Sequence, residues 1–228
     1  MTKSEALVRI VSTGIVPVIR ASSPQKALMA VDALYASGIS VIEITLTVPG
    51  AEKVIESLCS SFGADLLVGA GSVLNVESAK RCLAAGAQFI VSPGLNVATV
   101  EYAKSQGVLM MPGALTPTEV MAAWDAGADL VKVFPCNSVG GASYIKALKG
   151  PFPQIPFIPT GGVNLKTAAD FIHAGSEALG VGGELVLASA LDSGTPQLIT
   201  ELGKQFLQIV QTARNSKLAE LAVTGVTR

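Results

Sequence analysis

The feature that most constrains the fold is a phrase that recurs along the chain: a helix-like stretch ending in glycine, then a short apolar segment ending in polar residues or glycines. A glycine just past a helix takes a left-handed conformation that closes the helix. Each repeat of the phrase therefore predicts one strand-and-helix unit. The closing glycines lie 20 to 25 residues apart, at Gly38, Gly63, Gly86, Gly107, Gly127, Gly150 and Gly175.

The apolar segments predict eight strands, and most are continuous apolar runs rather than alternations of apolar and polar residues. Such runs are typical of parallel strands covered by helices. Eight units with no linker between them predict an α/β fold, a single (β/α)8 TIM barrel with a parallel eight-stranded core. The strands are expected at residues 15–20, 41–46, 66–72, 89–93, 108–113, 130–135, 157–161 and 178–182.

A doubly wound open sheet is the alternative fold, but its dinucleotide fingerprint is missing. Neither Gly69 and Gly71 nor Gly180 and Gly182 is followed by the third glycine of that motif. We expect one domain over residues 1–213, with a closing helix at about 196–213, and a mobile C-terminal tail over 214–228. The other clear helices are expected at about 24–37, 50–60, 76–85, 97–106, 117–126 and 165–174.

Composition excludes several classes of protein. Half of the 228 residues are hydrophobic, 14% are charged and the mean hydropathy is +0.53. No apolar run approaches the ~20 residues that span a bilayer. The high content of hydrophobic residues therefore predicts a buried core and no membrane partner. A net charge of -1 lacks the positive excess that nucleic-acid binding needs.

The cysteines and the single histidine bear on location and on metal chemistry. Cys59, Cys82 and Cys136 are odd in number and widely separated, which favours reduced thiols in a cytoplasmic protein. The N-terminal segment has no apolar stretch typical of an export signal. With His173 alone and no cysteine cluster, a zinc site has almost no ligands, so we expect no metal and no cofactor.

Two strands carry an ionisable residue inside the apolar run, Glu43 in the second and Lys132 in the sixth. Alternation along strand two directs Glu43 into the lumen if Ile42 and Ile44 face the helices. In strand six, Val131 and Val133 likewise point outward and Lys132 inward. Strands two and six are opposite in a ring on the order of 15 Å across, so the two side chains nearly meet. A lysine withdrawn from water is more available as a neutral nucleophile. The alternative is a structural ion pair.

The ends of other strands supply candidate binding groups. Thr160, Gly161 and Gly162 end strand seven, and the Gly182–Gly183 pair ends strand eight, where many barrels bind phosphate. Arg20 ends strand one and offers a guanidinium for a carboxylate or phosphate, and Ser72 ends strand three with a hydroxyl. Glycine pairs also occur simply in tight turns.

The strand ends, taken in order, resemble a known family. Strand two reads Glu-Ile-Thr-Leu-Thr, strand three Gly-Ala-Gly-Ser-Val-Leu, strand four Ile-Val-Ser-Pro-Gly, strand six Val-Lys-Val-Phe-Pro and strand seven Pro-Thr-Gly-Gly-Val. From about residue 7 to 210 the chain is similar to the 2-dehydro-3-deoxyphosphogluconate (KDPG) / 4-hydroxy-2-oxoglutarate (KHG) aldolases. The resemblance implies a metal-independent class I aldolase, a carbon-carbon lyase and homotrimer, that cleaves KDPG to pyruvate and glyceraldehyde 3-phosphate.

The resemblance also implies roles for individual residues. Lys132 matches the Schiff-base lysine and Glu43 the general acid/base. Ser72 lies where the family has threonine near the pyruvate carboxylate, and Pro93 and Phe134 match pocket residues. The substrate and phosphate loop matches Thr160, Gly161 and Gly162.

This chain departs from the family pattern at two places. Thr47 stands where many members have arginine, and Arg20 resembles the arginine of another branch. Gly183, followed by Glu184, stands where a phosphate-binding serine is expected after Gly182.

Several functions remain open from the sequence. The resemblance implies a small 2-oxo acid substrate of the gluconate, galactonate or 4-hydroxy-2-oxoglutarate type, with or without phosphate. A sugar-phosphate isomerase or epimerase with Lys132 as a charge clamp, and a non-catalytic phosphosugar-binding barrel, are the alternatives.

Overall fold

The computed structural model describes residues 1–224 as alternating strands and helices. The helices are α1 (Lys3–Thr13), α2 (Pro24–Ala36), α3 (Ala51–Phe62), α4 (Val76–Ala84), α5 (Val97–Ser105), α6 (Pro117–Ala126), α7 (Ala142–Lys149), α8 (Ala168–His173), α9 (Ala188–Asp192) and α10 (Gln197–Thr224), with a 3-10 turn at Cys136–Val139. The strands are β1 (Ile15–Ile19), β2 (Val41–Thr45), β3 (Leu67–Gly71), β4 (Phe89–Val91), β5 (Leu109–Met111), β6 (Gly113–Ala114), β7 (Val131–Val133), β8 (Phe157–Pro159) and β9 (Leu179–Val181).

Polar caps start several helices that follow strands. The Ser23 hydroxyl accepts a hydrogen bond from the Lys26 N–H, and Pro24 occupies the first helical position of α2. The side chains of Asn75 and Asn96 cap α4 and α5 in the same way. Each cap satisfies an N–H group that has no partner inside its helix, so the chain turns from strand to helix at these residues.

The closing glycines behave as expected at six of the seven marked positions, which have positive φ angles. Gly150 is the exception, because its φ of -57° and ψ of -64° are right-handed. Its N–H donates to the Ala147 carbonyl, and the Phe152 N–H donates to the Leu148 carbonyl. The chain after α7 therefore continues in tight turns instead of reversing at a left-handed glycine.

The strand core is parallel and consists of two sheets. One sheet has the order β5-β4-β3-β2-β1-β9 and the other the order β6-β7-β8, with every pair parallel. An α/β fold with parallel strands is thus confirmed. The two sheets do not form one continuous eight-stranded ladder. The expected fifth strand divides at Pro112, which has no N–H to donate.

Buried side chains form two clusters, one on each face of the strands. Ile42 and Ile44 belong to the cluster between strands and helices, as predicted. The cluster inside the strands includes Val41, Phe89 and Leu130, near the amino ends of their strands. Ile10 from α1, a helix that the sequence analysis did not assign, packs against this inner cluster. Helix α1 therefore covers the amino end of the lumen and leaves the carboxyl end for a site.

The closing helix is longer than expected, because α10 continues through Thr224 rather than ending near residue 213. Arg214, at the start of the predicted tail, donates to the carbonyls of Val11, Ser12 and Glu177. The last part of that predicted tail, residues 225–228, lies outside the described residues. Within residues 1–224, no helix has the length and hydropathy of a transmembrane span.

Candidate active site

Glu43 and Lys132 meet inside the strand core. Glu43 is in β2 beside Val18 and Gly69, and Lys132 is in β7 beside Gly113 and Ile158. The Lys132 Nζ lies 3.8 Å from the Glu43 Oε1, and the two side chains are only 5% and 3% exposed. This distance is longer than a direct hydrogen bond but short enough for both groups to act on neighbouring atoms of one bound molecule.

The electrostatics of this pair follow from its burial. Removal from water raises the pKa of the Glu43 carboxyl, and the positive charges of Lys132 and Arg20 oppose that rise with a smaller effect. Glu43 Oε1 has no hydrogen-bond partner among the described residues. The Lys132 Nζ also lies 5.5 Å from the centre of the Phe134 ring. Because its pKa is raised, this carboxyl gains and loses its proton at a pH closer to 7 than an exposed carboxyl does.

Glycines at inward-facing positions provide the space for the site, and the sequence analysis did not assign them this role. The Glu43 carboxylate lies over Gly71, the Phe89 ring over Gly69, and the Thr160 side chain over Gly180. Glycine inside a buried strand is the signal for such close approaches. Each of these glycines admits a neighbouring side chain that a methyl group would exclude.

Arg20 and Thr47 lie at the outer end of the site, as expected from their positions after β1 and β2. Both are exposed. The buried Thr45 hydroxyl donates to the Ile19 carbonyl at 2.8 Å and lies 2.6 Å from the Thr47 hydroxyl. Since Thr45 uses its one proton on Ile19, Thr47 must donate to Thr45. The Thr47 oxygen is therefore left as an acceptor for a substrate hydroxyl or for Arg20.

Ser72 and Pro93 shape the mouth next to β3 and β4. Ser72 has a φ of +58°, and it is the one non-glycine residue with a positive φ within residues 1–224. This conformation is costly for a residue with a side chain and persists where the surrounding structure fixes it. The Pro93 carbonyl lies so close to Gly113 that a Cβ there would be 2.2 Å away. Both residues thus stand at the rim in fixed positions.

The predicted phosphate loops lie at the ends of β8 and β9. Thr160 is 7% exposed, and Gly161 and Gly162 have φ angles of +97° and +77° with Asn137 packed beside them. A Cβ built on Gly182 or Gly183 would meet nothing within 4 Å beyond its chain neighbours. Glu184 is exposed and shares a cavity of about 400 Å³ with Lys166. This side of the mouth is open.

The remaining expectations concern metal ligands and thiols. Among the side chains that the structure describes, no group of three or more histidine, cysteine, aspartate or glutamate residues is arranged to hold a metal ion. Cys59, Cys82 and Cys136 are free thiols. Burial raises the pKa of Cys136 to about 12, so this residue next to the mouth is a poor nucleophile.

The protein is an α/β protein of parallel strands whose core contains a buried pair of lysine and glutamate. A sequence model of the KDPG and KHG aldolases matches residues 8–202. The chain belongs to that family.

Individual relatives agree with the family match. The chain is 36% identical over 211 residues to the 2-dehydro-3-deoxy-phosphogluconate aldolase of Treponema pallidum, covering 92% of this chain and 98% of the relative. It is 33% identical to the 2-dehydro-3-deoxy-6-phosphogalactonate aldolase of Escherichia coli, covering 86% and 96%. The crystal structure of the Legionella pneumophila KDPG aldolase, with pyruvate captured as a covalent carbinolamine, superposes with a TM-score of 0.81 at 33% identity, covering 87% and 96%.

Proposed function

We propose that this protein is a class I aldolase that cleaves KDPG to pyruvate and glyceraldehyde 3-phosphate, and KHG to pyruvate and glyoxylate. The observation that carries the proposal is the 3.8 Å approach of the buried Lys132 amine to the buried Glu43 carboxylate. Family membership supports the same chemistry. A structural ion pair accounts less well for a carboxylate oxygen without a hydrogen bond.

The proposed mechanism begins when the neutral Lys132 amine attacks the C2 carbonyl of the substrate. The resulting carbinolamine loses water with a proton supplied by Glu43, which leaves an iminium. Glu43 then accepts the proton of the C4 hydroxyl, and the C3–C4 bond breaks with its electron pair delocalised as an enamine. The aldehyde departs, Glu43 returns a proton to C3, and water hydrolyses the iminium to release pyruvate.

Binding roles are proposed for the residues around this pair. Arg20 and Ser72 hold the carboxylate end, Thr47 accepts a hydrogen bond from a hydroxyl, and Pro93 and Phe134 line the pocket. Gly161 and Gly162 with Thr160, and Gly182 with Gly183, receive the distal end of the substrate. Support for this division comes from the buried pair at the centre and the open loops after β8 and β9.

A galactonate substrate is the second candidate, because a curated relative of that activity is 33% identical over most of both chains. The two sugar acids differ in configuration at C4, which is one of the two atoms of the bond that breaks. Pyruvate release from each substrate in parallel measures the preference directly.

The proposed architecture is one closed eight-stranded barrel in which β5 and β6 form a single strand around Pro112. The Lys132 N–H donates to the Pro112 carbonyl, and Thr160 forms a bridge with Gly180 between β8 and β9, which supports closure on both sides. We further propose a homotrimer in the cytoplasm, with residues 1–213 as the catalytic domain and α10 continuing beyond it. The free thiols fit a reducing compartment.

The test of the proposed function is borohydride reduction in the presence of pyruvate, followed by peptide mapping. We expect a reduced pyruvate adduct on Lys132 and loss of aldol cleavage. Turnover without an adduct would favour an isomerase or epimerase, and binding without pyruvate release would favour a non-catalytic phosphosugar-binding protein.

A further inference from the structure

The carboxylate of Glu43 is packed closely against the neighbouring strand. Its Oε1 atom has no hydrogen-bond partner among the described residues, and Lys132 is 3.8 Å away. A buried group without directional partners takes its position from the walls around it. The residues that form those walls therefore decide where the carboxylate lies.

Gly71 in β3 forms the closest wall. A Cβ built on Gly71 would lie 1.9 Å from Glu43 Oε1, 2.5 Å from Cδ and 2.6 Å from Cγ. Real Cβ contacts of this length do not occur, since ordinary contact starts near 3.4 Å. The terminal half of the Glu43 side chain thus occupies the volume that any side chain at position 71 would need.

Space, and not backbone conformation, is what requires glycine here. Gly71 is absent from the glycines with positive φ, so its backbone is open to an alanine. It pairs with Thr45 in the ladder between β2 and β3, one inward position beyond the pairing of Glu43 with Gly69. The Glu43 side chain leans along its strand and comes to rest over Gly71, while Gly69 receives the Phe89 ring.

We propose that Gly71 is a positioning residue for proton transfer, because its missing side chain leaves the recess that holds the Glu43 carboxylate within reach of Lys132. A methyl group at position 71 would push the carboxylate out of this recess by roughly 1.5 Å, the difference between 1.9 Å and 3.4 Å. Displacements of about 1 Å cost roughly 100-fold in reactions that depend on alignment. This inference rests on the proposed aldolase function.

The experiment compares Gly71→Ala with the native protein in two partial reactions of pyruvate. Borohydride trapping reports the iminium on Lys132, and exchange of the pyruvate methyl protons with D₂O reports proton transfer by Glu43. We expect exchange to fall about 100-fold or more, with trapping falling less than about 10-fold. The acid limb of the pH profile, the range in which the exchange rate falls on acidification, should also move to lower pH. A displaced Glu43 carboxyl moves toward water or toward the Lys132 cation, and either environment lowers its pKa.

A double variant separates positioning from general damage to the fold. In a Glu43→Ala background there is no carboxylate to displace, so adding Gly71→Ala should change neither the residual exchange nor the melting temperature by much. Gly69→Ala is the matched substitution on the same face of β3, where the new methyl meets Phe89 instead of Glu43. It should lower stability while the pH dependence of exchange stays unchanged.

The outcomes are distinct. Native-like exchange in Gly71→Ala, or equal losses from this substitution with and without Glu43, would overturn the positioning role. If Gly71→Ala alone does not fold, folding of the double variant supports the proposed contact and its failure to fold contradicts it. Absence of any pyruvate adduct in the native protein would instead reject the aldolase function itself.

Discussion

The two sides of the mouth differ in how tightly they are built. On one side, Glu43 in β2 and Lys132 in β7 are buried, and Gly71 in β3 leaves no spare volume behind the carboxylate. At the end of β9, Gly182 and Gly183 face open space and Glu184 is exposed. The closely packed side suits bond cleavage, which requires fixed geometry. The open side suits recognition of a distal group, where the loop sequence changes without disturbing the core.

The largest effect is expected for Lys132. Both Lys132→Met and Lys132→Arg should lower pyruvate release by at least about 10³-fold, because neither side chain forms an iminium with a ketone. Rates of pyruvate release on KDPG measure the loss. The arginine variant keeps a positive charge beside Glu43, so activity in that variant would mean that Lys132 acts as a charge clamp rather than as a nucleophile.

The next largest effect is expected for Glu43→Gln, which keeps the shape of the side chain but removes its titration. Cleavage should fall by about 10²- to 10⁴-fold, while borohydride trapping of pyruvate on Lys132 falls much less. In the native protein, burial raises the pKa of Glu43, so activity should decline on acidification at a higher pH than for an exposed carboxyl.

A pH profile of methyl exchange in both proteins tests the Glu43 assignment. The native acid limb should disappear in Glu43→Gln, because the group that titrates is gone. If the limb persisted unchanged, another group would be responsible for proton transfer.

An intermediate effect is expected for Arg20, which lies exposed at the mouth and whose charge lowers the pKa of the buried Glu43. Arg20→Met should raise the KM about 10-fold, because a charge-assisted hydrogen bond to the substrate is lost. It should also shift the acid limb to higher pH, since Arg20 lowers the pKa of Glu43. Arg20→Lys keeps the charge, so it should keep the native limb while losing part of the affinity. If Arg20→Met raised the KM but left the acid limb unchanged, the charge of Arg20 would have no effect on the pKa of Glu43.

The sequence was sufficient to predict the buried pair, because charges inside apolar strands are rare and alternation gives their direction. Glu43 faces inward as predicted, since Ile42 and Ile44 pack on the helix side of β2. Lys132 does the same, since Val131 and Val133 pack on the helix side of β7. The glycine spacing likewise located each strand to within a few residues. Periodicity carries this information because strands and helices bury one face in a regular pattern.

What the sequence did not predict depends on contacts between distant segments. Gly71 looks like any small residue in a strand until the Glu43 carboxylate is seen to lie over it. Gly150 follows a helix as the other marker glycines do, but the turns after α7 hold it in a right-handed conformation. The break at Pro112 follows from one missing N–H group, and α1 has no strand before it in the repeat. None of these features has a period that a sequence pattern reveals.

The smallest effect is expected on the open side of the mouth, at Glu184. If the loops after β8 and β9 receive the phosphate, the exposed carboxylate of Glu184 repels it, and water and salt weaken that repulsion. Glu184→Gln should therefore lower the KM for KDPG by about two- to five-fold at low ionic strength and leave kcat unchanged. The KM for KHG should fall less, because its distal group is a singly charged carboxylate on C4 instead of a phosphate farther along the chain.

Glu177→Gln is the matched control for Glu184→Gln, because it removes the same charge before the amino end of β9, away from the mouth. Steady-state kinetics with both substrates at two salt concentrations make the comparison. An equal change in KM for the two substrates would mean that Glu184 acts on negative charge that they share and not on the phosphate. If Glu184→Gln kept the native KM for KDPG, the phosphate would bind away from Glu184. The open side of the mouth would then not be the site that recognises the charged distal group.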